Sequence, residues 1–128
     1  MKNKFLETGE QGYHPLRKFK IILSGLRYAV LHDFSVLYKI VVSLILLIPV
    51  MIYREWLDAS LIILATGFMI AGEIFNTAIE AVCDFMETRY NEKIKIIKDI
   101  SAAAAGITIF VWMAVLGYEL FKVLPHLR

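Results

Sequence analysis

The sequence predicts an all-α integral membrane protein, with an amphipathic surface helix followed by three transmembrane helices. Three observations predict it. Of the 128 residues, 59% are hydrophobic while 20% are charged, a mixture ill suited to a water-soluble core of this size. Three apolar stretches, at about 36–53, 59–85 and 100–123, are each long enough to cross a hydrocarbon core that takes roughly 20 helical residues. The basic residues flank those stretches instead of forming one patch, and the formal net charge is only +2, which argues against nucleic acid as a partner.

Taken in order, residues 1–15 form a polar leader that lacks the apolar core of a cleavable signal peptide, so the first span is expected to act as its own insertion signal. The segment 16–33 sets Leu16, Phe19, Ile22, Leu23 and Leu26 on one side and Arg17, Lys18 and Arg27 elsewhere, the pattern of a helix lying on a membrane surface. Pro15 suits its first helical position. The first span covers 36–53, and the second, 59–85, is interrupted at Glu73, Asn76 and Glu80. The third span, 100–123, opens with the small residues 102–106, which would let a neighbouring helix approach closely. No repeat divides the chain, and 1–128 reads as a single membrane-embedded domain. Cys83 is the only cysteine, excluding an internal disulfide.

Orientation follows from the lysines and arginines. Lys2, Lys4, Arg17, Lys18, Lys20, Arg27 and Lys39 precede or begin the first span, while the first loop holds only Arg54 against Glu55 and Asp58. The amino terminus is therefore expected in the cytoplasm. The second loop, with Arg89, Lys93, Lys95 and Lys98, returns there, and the carboxyl terminus with Lys122 and Arg128 ends outside.

Function is written in the second span. Glu73, Asn76, Thr77, Glu80 and Asp84 are spaced i, i+3, i+4, i+7 and i+11, so at ~100° per residue they lie within about 60° of one line. A carboxylate at membrane depth costs about 2.5–3.5 kcal/mol on insertion scales, so the stripe needs a cation, a partner or water. Polar contacts between helices would supply a purely structural use for it. The stripe also has depth, because Asp84 falls at the cytoplasmic end and Glu73 roughly 16 Å deeper.

Asp33, Lys98 and Asp99 flank neighbouring spans at the same membrane face. Phosphoryl transfer asks for carboxylates to hold Mg²⁺ against ATP phosphates, a cation for the developing charge and a group that accepts the hydroxyl proton. Asp33 and Glu80 suit the metal, which favours a few carboxylates plus substrate oxygens. Soluble nucleotide signatures such as G-x-x-x-x-G-K-[ST] and G-x-G-x-x-G are absent, as is H-E-x-x-H. His14, His32 and His126 lack metal-ligand spacing.

The run Glu73-Ile74-Phe75-Asn76-Thr77-Ala78-Ile79-Glu80-Ala81-Val82-Cys83-Asp84, followed by Lys98-Asp99, resembles the signature of the prokaryotic diacylglycerol kinase family, which includes the undecaprenol kinases. The resemblance extends over nearly the whole chain, from Gly25-Leu26-Arg27 through the third span. It implies a homotrimer in the bacterial inner membrane, with active sites between subunits at the cytoplasmic face. It also implies direct transfer of the γ-phosphoryl group of ATP to diacylglycerol, giving phosphatidic acid, or alternatively to undecaprenol. By position in the motif, Glu73 would be the base and Asn76 its support, Glu80 would bind the metal, Asp84 would line the nucleotide site, Lys98 would contact the phosphates and Asp99 the nucleoside. Asp33 stands where the family has a glutamate as second metal ligand, one methylene longer. A non-enzymatic assembly or an ion conductor using the same acids is the reading from another class.

Overall fold

The computed structural model describes residues 15–53 and 56–127 and is helical through most of them. The leader over 1–14 and the charges Arg54, Glu55 and Arg128 lie outside the described residues. α1 runs Pro15–His32, α2 Phe34–Ile52, α3 Trp56–Met86 and α4 Glu92–Val123, followed by a short 3-10 turn over Leu124–Leu127. The chain divides into two compact units, 1–33 and 34–128.

In the first unit, α1 begins at Pro15, whose fixed φ and missing N–H are harmless at a first helical position. It closes where the Asp33 amide donates to the Ala29 carbonyl at 3.0 Å. Leu16, Phe19, Ile22 and Leu23 are exposed along it.

The second unit is a three-helix bundle, and all three helices are long and apolar enough to cross a membrane. α3 has 31 residues and α4 has 32, so at ~1.5 Å per residue each exceeds the ~30 Å hydrocarbon core and must extend beyond it. α4 begins at Glu92, well before the expected start at 100. Hydropathy marks only the length that meets lipid, whereas the helix starts at its cap. Asn91 has extended backbone, φ −139° and ψ 121°, and its side chain accepts from the Lys93 amide at 3.0 Å, with Glu92 following in the first turn. Lys98 and Asp99 therefore lie within α4 rather than ahead of it.

One seam holds the bundle together. Leu46 and Val50 of α2, Ala59, Ile62, Ala65 and Met69 of α3, and Trp112, Leu116 and Val123 of α4 form the apolar core. Ser43 ties the three helices at its edge. Its Oγ donates to the Lys39 carbonyl at 2.8 Å and accepts from Thr66 Oγ1 at 2.9 Å and Trp112 Nε1 at 2.8 Å. Where no water reaches, buried polar groups must satisfy one another, and this node does so.

The close approach of α3 to α4 is made at Gly72, where a Cβ would collide with the side chain of Thr108. The small residues 102–106 do not provide it. Only Ala105 of that stretch is buried, and a Cβ on Gly106 would meet nothing. Farther along, buried Asp58 in the first turn of α3 pairs with Lys122 in the last turn of α4, each charge favourably placed on its helix dipole. Outside the seam, Ile63, Leu64, Phe68, Ile107, Phe110 and Phe121 are exposed, the arrangement of helices whose outer faces meet lipid.

Candidate active site

The face of α3 that buries Ile62, Ala65 and Met69 continues, one turn on, into Glu73. The polar stripe thus begins on the inner face of the bundle. Glu73 is buried at 7% exposure, Asn76, Thr77 and Glu80 are half-buried, and the Asp84 side chain is 67% exposed. Exposure therefore rises along α3 from Glu73 to Asp84.

Glu73 is held from α2. Lys39 Nζ forms an ion pair with Glu73 Oε1 and donates to Ser35 Oγ at 2.7 Å, while Ser35 Oγ lies 3.4 Å from the same carboxylate oxygen. Lys39, in sequence one of the basic residues at the start of the first span, is buried at 2% exposure. Its signal was legible as Ser35, Lys39 and Ser43 spaced four apart, which puts three polar groups on one face of an otherwise apolar helix.

One turn toward the open end, Asn76 Nδ2 donates to Glu80 Oε1 at 2.9 Å. Asn76 Oδ1 and Ser101 Oγ are buried without a hydrogen-bond partner among the described residues. Both residues line a groove of about 500 Å³ between α3 and α4, otherwise walled by groups such as Phe68, Phe75, Ile79 and Ile97. Such a groove suits an alkyl chain that brings one polar group with it. Ser101 carried no role in the sequence analysis, since a lone serine beside an alanine run gives no signal of its own.

At the open end, Lys98 of α4 pairs with Asp84 of α3. The start of α4 therefore lies against the end of α3. Asp99 is exposed and makes no hydrogen bond or ion pair with the other candidates. Asp33 belongs to the other compact unit and is half-buried there.

No group of three or more His, Cys, Asp or Glu side chains among the described residues is arranged to hold a metal. Glu80 and Asp84 are nonetheless a set of hard carboxylate donors four residues apart on α3. That set fits a Mg²⁺ ion that arrives on nucleotide phosphates and needs only one or two protein carboxylates.

The family model of prokaryotic diacylglycerol kinase matches residues 20–120, a span that takes in most of α1 and all of the stripe. No curated protein and no solved structure matched the chain.

Proposed function

The chain belongs to the prokaryotic diacylglycerol kinase family, and from that premise we propose that it is an ATP-dependent kinase of diacylglycerol, acting at the cytoplasmic face of the bacterial inner membrane. One observation carries the proposal. A single line of side chains on α3 leads from a sheltered carboxylate at Glu73 to an exposed one at Asp84, and there it meets a cation on a second helix. A lipid alcohol and a soluble nucleotide need such a gradient, because one reactant stays at the headgroup level and the other comes from water. Holding the two together removes up to ~7–11 kcal/mol of entropic barrier.

Glu73 takes the acceptor's hydroxyl proton as the oxygen bonds to the γ-phosphorus, and the bond to the β–γ bridging oxygen breaks so that ADP leaves with its electron pair. Asn76 holds Glu80 by its amide. Glu80 would hold Mg²⁺, which would neutralise phosphate charge there. Lys98 exchanges Asp84 for phosphate oxygens, and Asp84 and Asp99 line the nucleotide. The apolar groove beside Asn76 receives an acyl chain. α1 lies on the membrane surface with its apolar side chains among lipid headgroups, and three copies assemble through the exposed apolar faces.

Purified protein in mixed micelles with Mg²⁺ and ATP tests the proposal, with diacylglycerol and undecaprenol offered separately. Phosphatidic acid is the expected product, and a clear preference for undecaprenol overturns the choice of acceptor. Glu73→Gln keeps the shape and removes the base, so turnover should fall by roughly 10²-fold or more. Normal phosphorylation by that variant would remove Glu73 from the role.

A further inference from the structure

Among the ion pairs that join described residues of the bundle, one differs in kind from two others. Lys98–Asp84 has side chains 34% and 67% exposed, and Lys122–Asp58 has a lysine 40% exposed, but Lys39–Glu73 has both members sheltered, at 3% and 9%. Lysines usually carry their ammonium out to water, as Lys122 does, so one held inside the bundle marks a specific partner. The contacts to Glu73 are also one-sided. Lys39 and Ser35 both address Oε1, and Oε2 has no hydrogen bond among the described residues.

We propose that Lys39 is a positioning residue for Glu73, its ammonium clamping Oε1 with Ser35 alongside so that Oε2 is turned to the acceptor hydroxyl. The inference rests on Glu73 being the base of a lipid kinase. A carboxylate held at one oxygen presents the other in a fixed direction, which is the alignment that proton transfer from a bound hydroxyl asks of a base. Once the acceptor's proton is on Oε2 and its oxygen is bonded to phosphorus, Lys39 faces a neutral acid.

The test compares the full-length wild type with Lys39→Met, Lys39→Arg, Glu73→Gln, Lys39→Met/Glu73→Gln and Lys122→Met, in mixed micelles with Mg²⁺-ATP and each lipid alcohol. Lys39→Met should lower kcat roughly tenfold or more while KM for ATP stays within about twofold, and Lys39→Arg should recover most of the loss. Lys122→Met, which breaks a pair remote from the site, should lower the melting temperature yet leave kcat close to wild type. Thermal unfolding reads the pair without reference to activity: Lys39→Met should melt lower than Lys39→Met/Glu73→Gln, because the double variant leaves no unmatched buried charge. A Lys39→Met kcat within twofold of wild type, alongside an inactive Glu73→Gln, would sink the inference and spare the kinase reading. Full turnover by Glu73→Gln would remove both. A double variant that melts as low as the sum of the single losses would show that the two charges do not meet.

Discussion

Glu80 stands where sheltered and open parts of the site join, half-buried and accepting a hydrogen bond from Asn76 at 2.9 Å. Replacing it with Gln keeps the volume and the contact to Asn76 but removes the negative charge that a hard dication requires. Glu80→Gln should therefore raise the Mg²⁺ concentration for half-maximal turnover by on the order of tenfold or more, with melting temperature near wild type. Titration of turnover against Mg²⁺ at fixed ATP checks this, and an unchanged Mg²⁺ dependence would exclude Glu80 as a ligand. Asn76 behaves differently, because its amide has two jobs on two sides. Nδ2 is committed to Glu80, while Oδ1 faces a groove that also holds the unsatisfied Ser101 Oγ.

At the scale of elements, the stripe can work only if α4 approaches α3 closely, and Gly72 sets that distance one residue before Glu73. Gly72→Ala places a methyl group against Thr108, so the helices must part or Thr108 must shift, at a cost of about 1–3 kcal/mol. Thr108→Ala removes the atoms in the way. The two changes together should recover most of the stability lost by Gly72→Ala alone, as thermal or denaturant unfolding in micelles would measure. Additive losses would mean that this contact does not govern the interface. The capped start of α4 matters at the same scale, since a helix beginning at Glu92 carries Lys98 on its second turn and brings it onto Asp84.

At the scale of the whole molecule, the bundle leaves large apolar side chains exposed on all three long helices, so its proper solvent is lipid. The excess of basic residues ahead of the first span and in the second loop predicts which end faces the cytoplasm. In a Cys83→Ala background, Tyr90→Cys should react with a membrane-impermeant thiol reagent in inside-out vesicles, and Pro125→Cys in right-side-out cells. Both native residues are exposed. The reverse pattern would invert the orientation and put the open end of the stripe out of reach of cytoplasmic ATP.

The sequence by itself determined the number and type of helices and the alignment of Glu73, Asn76, Glu80 and Asp84, because hydropathy and a 3.6-residue period are properties of one helix at a time. It also predicted the direction of the stripe, from depth to surface. The tertiary structure alone decided which groups face those acids. Lys39 lies 34 positions from Glu73 and Lys98 14 positions from Asp84, and no spacing rule within a helix reaches across such gaps. How helices cross depends on where small residues let backbones approach, here at Gly72 rather than along 102–106. A lysine in an apolar span thus reads as a flank in the sequence and stands as a counter-ion in the fold, since its partner is chosen by packing.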